Sequence, residues 1–369
     1  MKNMNNKYKY FIPTKNIIAR GGLTAIAEIL PNECKNILLV TGKHSAKKFG
    51  YTDKIISSLA STNKNTFLFD NVEEDPSVET ADAAANFAVK NNCSAVIGLG
   101  GGSPLDAAKA AAISAAAKIP VPELLEIDEK SIDKLFFIAV PTTSGTGSEV
   151  TQYSLLSDRV KKTKLNLATE NSFPDIALLD AELTTSMPEN LTRNTGVDAL
   201  SHAIEGYLTT KANPFTNLLA ESAIVTITRN IHKVIYNPYD INAREKMLIA
   251  SNIAGRVIAH TGTSACHALG YYLTLVKNIP HGLANAILLG RIVKWISKFS
   301  PEKTDTIKNI LNNTVDDFIS SLGIDVSLFN YGVNENDVIK MAELAAVRSS
   351  TMATPGSPSA EELVKLLME

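Results

Sequence analysis

The chain has 369 residues, enough for a large core and for two domains. A hydrophobic fraction of 45%, a charged fraction of 20% and a net charge of −2 are those of an ordinary globular protein. The two signs of charge nearly balance, which gives no reason to expect nucleic acid or an acidic membrane surface as a partner. The start MKNMNNKYKYF lacks the continuous apolar core of a signal peptide, and no apolar stretch is long enough to span a bilayer. A cytoplasmic protein is expected. Cys34, Cys93 and Cys266, odd in number and far apart, fit free thiols in a reducing compartment, with Cys266 a small buried thiol on a helix.

In chain order, YKYFIP and NIIARGG predict an edge hairpin. From Asn36 to about Asp180 the short apolar runs NILLVT, TFLFD, SAVIGLG, LFFIAVP and IALLD alternate with amphipathic or Ala-rich stretches, a rhythm that predicts a parallel sheet with helices on its faces. The Ala-rich run from Ala107 to Ala117 is one of those helices. After Met187-Pro188 the strand signals fade, and Leu191 to Tyr207, Pro214 to Ile235 and Ala243 to His260 read as helices. The expected division is therefore an α/β domain over residues 1–187 and an all-α domain over 188–369, with no internal repeat. At the end, TPGSPSAEELVKLLME predicts a turn and a capped helix, with Ser357 as N-cap and Pro358 at the first helical position.

SAVIGLGGGSPLDAAKAAA sets a strand, a glycine turn and a helix in immediate succession. Gly100, Gly101 and Gly102 allow close approach of the backbone to a phosphate, and the free N–H groups near Ser103 favour negative charge. Gly98-x-Gly100-x-x departs from the usual dinucleotide fingerprint, since Ser103 stands where glycine is needed. Glycine turns between strand and helix are also common structurally. Ser103-Pro104-Leu105-Asp106 can equally be a capping box in which Asp106 holds the helix start. After the strand FFIAVP, the turn from Thr142 to Glu149 carries more hydroxyls than a plain turn needs, which suits a ligand that accepts many hydrogen bonds.

Asp198 and His202 lie four residues apart in a helical segment, on one face, with apolar neighbours Val197, Ala199, Leu200, Ala203 and Ile204. A lone D-x-x-x-H is more often a surface pair. Here, however, the chain has only six histidines, and His267 in SACHALG and His281 in IPHGLANAILL share the apolar, helix-rich surroundings of the pair and join it as candidates, while His44, His232 and His260 lack such company. Pro280 separates the last two into different segments. A buried carboxylate needs a partner, and a cation shared with imidazoles removes the cost of burying it. One Asp with three His suits Fe²⁺ or Zn²⁺ rather than Ca²⁺ or Mg²⁺.

GGGSPLDAAKA, PTTSGTGSEVT, GVDALSHAIEGY and PHGLANAILL, in this order and spacing over nearly the whole chain, resemble the signatures of the iron-dependent (group III) alcohol dehydrogenase family. The resemblance implies an N-terminal dinucleotide-binding domain, a helical metal and substrate domain, and a catalytic Fe²⁺ held by Asp198, His202, His267 and His281. It also implies that Gly101, Gly102 and Ser103 bind the pyrophosphate, that Asp106 approaches the nicotinamide, and that Thr142, Thr143, Thr146, Lys164 and Leu183 line the cofactor. Lys164 lies in the basic run RVKKTK, which by itself reads as a solvated turn.

Two positions depart from the family pattern. Gly42 follows the first core strand, where similar enzymes that prefer NAD carry an Asp for the ribose hydroxyls. Without that acid there is room for a 2′-phosphate faced by Lys43, His44 or Lys47, so NADP(H) is expected over NAD(H), the alternative being a glycine that only makes the turn. Tyr271, in HALGY, stands where many members have a second histidine that relays a proton. It either serves through its hydroxyl or forms an aromatic wall of the substrate pocket, the wall being the expected role.

The function expected is hydride transfer between NADP(H) and a small primary alcohol or aldehyde by a homodimer. A metal-dependent lyase resembling dehydroquinate synthase shares the two-domain plan. Its polyanionic substrate, however, calls for several cations near the ligands, and only Arg193 and Lys277 lie close in sequence. A non-enzymatic metal- or nucleotide-binding regulator lacks any DNA-reading module to support it.

Overall fold

The computed structural model describes residues 8–127, 132–160 and 163–369. Contacts divide them into two compact units. One comprises residues 13–192 with 233–252, the other the N-terminal residues up to 12 with 193–232 and 253–369.

The first unit is built on a sheet. Its strands are β1 (Lys15–Ile18), β2 (Asn36–Gly42), β3 (Asn65–Val72), β4 (Ala95–Gly100), β5 (Phe136–Pro141) and β8 (Ile176–Leu179), in the order β1-β8-β5-β4-β2-β3. Every pair in it is parallel. The five predicted apolar runs are β2, β3, β4, β5 and β8. All six residues of β4 are buried, as expected for a strand covered on both faces. Alternation along the strands separates two cores. Leu38, Val40, Val96 and Phe137 pack with helices α2 (Val78–Lys90) and α3 (Gly102–Ala117), while Ile37, Leu39, Ile97 and Ile138 pack with α1 (Tyr51–Ser61). The Ala-rich sequence of α3 lets that helix approach closely: a Cβ on Gly98 would lie 2.9 Å from the Ala108 methyl.

Strand order fixes where a ligand can bind. The chain passes from β2 to β3 on one side and then crosses over to β4 on the other, so the carboxyl ends of β2 and β4 flank the point where the winding reverses. Gly42, Gly100 and Pro141 end the three neighbouring strands there.

Three local expectations are corrected. No hairpin forms at the start: β1 is a lone edge strand parallel to β8, and described residues 8–14 contain no strand. Tyr10 and Phe11 turn instead to the helical unit, where the Tyr10 ring stacks on His260 at 4.3 Å and the Phe11 N–H donates to His260 Nε2. A separate antiparallel hairpin, β6 (Ser154–Asp158) with β7 (Thr163–Leu167), was not expected, because its strands mix polar and apolar residues too evenly to announce themselves. The last helix starts later than predicted, with Ser359 as N-cap. Ser359 and Glu362 exchange both capping-box bonds, and Ser357 instead adopts a left-handed backbone at φ 40°.

Apart from single turns such as Ser349–Met352, the remaining α-helices are α4 (Glu189–Leu208), α5 (Pro214–Tyr236), α6 (Ile241–Thr261), α7 (Ala265–Lys277), α8 (His281–Ile296), α9 (Pro301–Leu311), α10 (Val315–Ser321), α11 (Glu335–Ala346) and α12 (Ala360–Met368). Among the described residues no helix is long and apolar enough to cross a membrane.

Candidate metal and nucleotide sites

In the helical unit, α4, α7 and α8 bring the predicted ligands together. Asp198, His202 and Glu205 occupy one face of α4 at helical spacing. Ser264 caps α7, its hydroxyl accepting from the Cys266 N–H, and sets His267 in the first turn. Pro280 starts α8 at His281. Gly282 lets this start press against α4, since a Cβ there would collide with the Asn194 carbonyl oxygen and stand 3.1 Å from Asp198 Cβ.

One ligand atom from each of Asp198, His267 and His281 lies within 4.8 Å of the others. Asp198 Oδ1 is 3.8 Å from His267 Nε2 and 3.9 Å from His281 Nε2. Two ligands of a tetrahedral metal at 2.1 Å stand ~3.4 Å apart, so the set needs only a small contraction to hold one. His202 adjoins through His267, their Nε2 atoms 3.0 Å apart. One carboxylate oxygen with imidazole nitrogens is the donor chemistry of Fe²⁺ or Zn²⁺.

Two side chains that the sequence reading missed organise this set. Glu205, 1% exposed, places Oε1 2.5 Å from His267 Nδ1, while its Oε2 accepts from the Ser264 N–H at 2.7 Å and hydroxyl at 2.6 Å. A carboxylate in that position keeps the proton on Nδ1 and leaves the Nε2 lone pair turned to the metal set. Asn285, one turn after His281 and fully buried, donates from Nδ2 to Asp198 Oδ1 at 3.0 Å, and the same nitrogen lies 3.0 Å from His267 Nε2 and 3.3 Å from His281 Nε2. Its Oδ1 is buried without a hydrogen-bond partner. An amide nitrogen among three acceptors marks the place that attracts positive charge. The spacing from Asp198 to Glu205, and from His281 to Asn285, was the available signal.

Burial pushes the Asp198 carboxyl up, but His202, His281, His267 and the Asn285 amide outweigh it and hold it below the usual carboxylate range. Burial acts likewise on Glu205 and is outweighed by His267 and Ser264. Both acids are therefore anions at neutral pH. Burial, and then the charges of Glu205 and Asp198, push the Cys266 thiol far up, so it stays protonated, its Sγ 3.4 Å from the Asn285 carbonyl oxygen. Tyr271 stacks on His281, with rings 15° from parallel and centroids 6.0 Å apart.

In the sheet unit, most of the predicted nucleotide residues lie at or just after the ends of β2, β4 and β5. Gly100 has φ +149°, a conformation that side chains rarely adopt, and a Cβ on Gly102 would come within 2.9 Å of Thr146 Cγ2. The Thr142 N–H donates to the Gly100 carbonyl at 2.8 Å, which joins the hydroxyl-rich turn to the glycine turn. Gly101, Gly102, Ser103, Thr142, Thr143 and Thr146 all remain half-buried, as a ligand would require, while Ser144 and Ser148 are buried. Gly42 has ordinary backbone and open space: an added Cβ would meet only Pro104 Cγ and the Val72 carbonyl, each at 3.6 Å. Neither strain nor crowding therefore demands glycine there. Lys43 and His44 are exposed beside it.

Other expectations change. Asp106 does not hold the helix start: α3 is capped by Gly101 without a side-chain bond, and Asp106 accepts from the Ser148 hydroxyl at 2.6 Å and the Leu155 N–H at 3.2 Å. Ser103 Oγ likewise accepts from the Asp75 N–H. The Lys164 side chain is only 9% exposed and pairs with Asp75 at 2.6 Å, so it is not in a solvated turn; its neighbours 161 and 162 lie outside the described residues. Leu183 packs into the core with Leu23 and Ile26, 1% exposed, and its carbonyl accepts from the Tyr51 hydroxyl.

A parallel sheet with a glycine cradle at its switch point, together with a buried carboxylate–imidazole set on helices, defines a metal- and nucleotide-dependent enzyme class. Comparison with known proteins narrows it. The iron-containing alcohol dehydrogenase family matches residues 13–181, and the C-terminal part of the Fe-containing alcohol dehydrogenase family matches residues 192–369. The chain belongs to this family and is an oxidoreductase, which decides against the lyase and the regulator. It is 34% identical to the NADPH-dependent butanol dehydrogenase of Clostridium saccharobutylicum, over 95% of this chain and 93% of that one. The NAD-dependent methanol dehydrogenase of Bacillus methanolicus is 26% identical, over 97% and 98% respectively. Among solved structures, an iron-containing alcohol dehydrogenase of Thermotoga maritima is 37% identical, with a TM-score of 0.88 and coverage of 97% of this chain and 98% of that one.

Proposed function

We propose that this chain transfers a hydride between NADP(H) and a small primary alcohol or aldehyde, with Asp198, His202, His267 and His281 holding a divalent metal, Fe²⁺ or Zn²⁺. The observation that carries the reading is the convergence of buried Asp198 and His267 with half-buried His281, a set with no other evident use. When bound, the metal supplies Lewis acidity to the substrate oxygen. Asp198 brings the negative charge, Glu205 orients His267, and Asn285 fixes the Asp198 carboxylate. Tyr271 serves as a ring wall beside His281 rather than as a proton relay.

Residues 1–187 are the dinucleotide-binding domain in this reading and 188–369 the metal and substrate domain. Gly101, Gly102 and Ser103 cradle the diphosphate, Thr142, Thr143 and Thr146 donate to it, Lys164 stands near through Asp75, Asp106 faces the nicotinamide end, and Leu183 backs the site from the core. NADP(H) is favoured because Gly42 carries no acid, has room for a phosphate, and adjoins exposed Lys43 and His44. The similarity to an NADPH-dependent butanol dehydrogenase supports the same choice, although an NAD-dependent relative exists. A cytoplasmic homodimer is the expected setting.

The test is an anaerobic aldehyde-reductase assay of metal-reconstituted protein with NADPH and NADH, across propanal, butanal, lactaldehyde and 3-hydroxypropanal. Turnover should vanish on metal removal and return with Fe²⁺ more fully than with Mg²⁺. Full activity in rigorously metal-free protein would sink the metal reading, and a preference for NADH the cofactor reading.

A further inference from the structure

The metal set opens on one side. The Asp198 and His267 side chains keep 4% of their surface exposed, whereas His281 keeps 27%. Tyr271 lies parallel to the His281 ring, and over the Tyr271 ring stands the guanidinium of Arg348, its Cζ 4.9 Å from the centroid. Tyr271 and Arg348 are both half-buried, so His281, Tyr271 and Arg348 form a continuous stack from the metal set towards solvent.

Nothing local explains an arginine in this place. Arg348 precedes the short helix Ser349–Met352 without capping it through its side chain, and a cation at a helix start is disfavoured by the helix dipole. Among the described residues no carboxylate pairs with Arg348, whereas Lys277, at the end of the α7 helix that carries Tyr271, is neutralised by Asp337 at 2.7 Å. Tyr271 offers the guanidinium a ring but no hydrogen-bond acceptor that would neutralise it, which leaves N–H groups of the kind that bind carboxylates with two parallel hydrogen bonds.

Resting on the reading of the metal set as the seat of the substrate oxygen, we infer that Arg348 binds an anionic group at the far end of the substrate, which makes the substrate class a short-chain aldehyde bearing a carboxylate. In reduction the hydride of NADPH adds to the carbonyl carbon, a proton adds to its oxygen, the nicotinamide is oxidised, and the carboxylate is unchanged. A neutral aldehyde has no use for the uncommitted charge.

The experiment compares kcat/KM for succinic semialdehyde and butanal, which have the same number of carbons, at one ionic strength because salt screens the pairing. Wild type should favour succinic semialdehyde. Arg348→Met should cut that selectivity ratio by about ten- to hundred-fold, mainly through KM, as expected for loss of a charge-assisted hydrogen bond. Arg348→Lys should retain part of the ratio. A wild type that favours butanal, or a ratio unchanged in Arg348→Met, would overturn the inference. If neither aldehyde is reduced, the hydride-transfer reading fails, and calorimetric titration of the metal-loaded protein with succinate still reads the anion site. Saturable binding that weakens in Arg348→Met supports the inference, and equal binding by both proteins refutes it.

Discussion

Replacing Glu205 by Gln tests how the metal set is organised, because the change keeps the shape of the side chain and removes its charge. Glu205 accepts on both oxygens: from His267 Nδ1 at 2.5 Å on one side, and from the Ser264 N–H and hydroxyl at 2.7 and 2.6 Å on the other. An amide has one oxygen. If that oxygen faces His267, the amide nitrogen confronts the Ser264 N–H and leaves it orphaned, at a cost of about 1–3 kcal/mol. If it faces Ser264, the amide N–H groups confront Nδ1, which favours the tautomer with its proton on Nε2, where the metal must bind. Either arrangement should lower metal affinity about ten- to hundred-fold, or roughly 1.4–2.8 kcal/mol. The assay is anaerobic titration of metal-depleted wild type and variant with Co²⁺, following its visible absorption with a competing chelator present. Far-ultraviolet circular dichroism would establish that the variant is folded. A folded Glu205→Gln protein with wild-type affinity and an unchanged cobalt spectrum would show that Glu205 only caps α7.

Two further outcomes are expected. Gly42→Asp should weaken NADPH use and improve NADH use, because a carboxylate about 5 Å from a 2′-phosphate at an effective dielectric near 20 is repelled by roughly 3 kcal/mol. Space for the side chain is present, and an unchanged cofactor preference in kcat/KM would mean that Gly42 is only a turn residue. Lys109 gives a pH test: it is fully buried, donates to the Ser148 carbonyl and hydroxyl and to the Tyr153 carbonyl, and burial pushes it down to about 8 against the pull of Asp106 and Glu149. Because its folded value lies below the unfolded value of 10.5, the folded state binds fewer protons between these limits, and the penalty is full below pH 8 and gone above 10.5. Wild type should therefore gain stability relative to Lys109→Met as pH rises from 8 to 10.5 in urea unfolding; a flat difference would contradict this burial.

The sequence by itself determined whatever depends on local pattern. Alternating apolar runs announced β2, β3, β4, β5 and β8. Helical spacing put Asp198 and His202 on one face, and the glycines before α3 announced the tight turn from strand to helix. These signals survive in the chain because each comes from neighbours along the backbone. The hairpin expected at the start failed because Tyr10 and Phe11 found a partner at His260, which no local pattern reports. Only the tertiary structure could decide which carboxylate orients His267, since Glu205 lies 62 residues away. The same holds for Lys164, whose pairing with Asp75 spans 89 residues and draws one cation of a basic run into a part-buried ion pair. Arg348 is the plainest case. Its side chain reaches Tyr271 across the fold, so its charge beside the metal set follows from the packing of separate segments and not from any spacing in the chain.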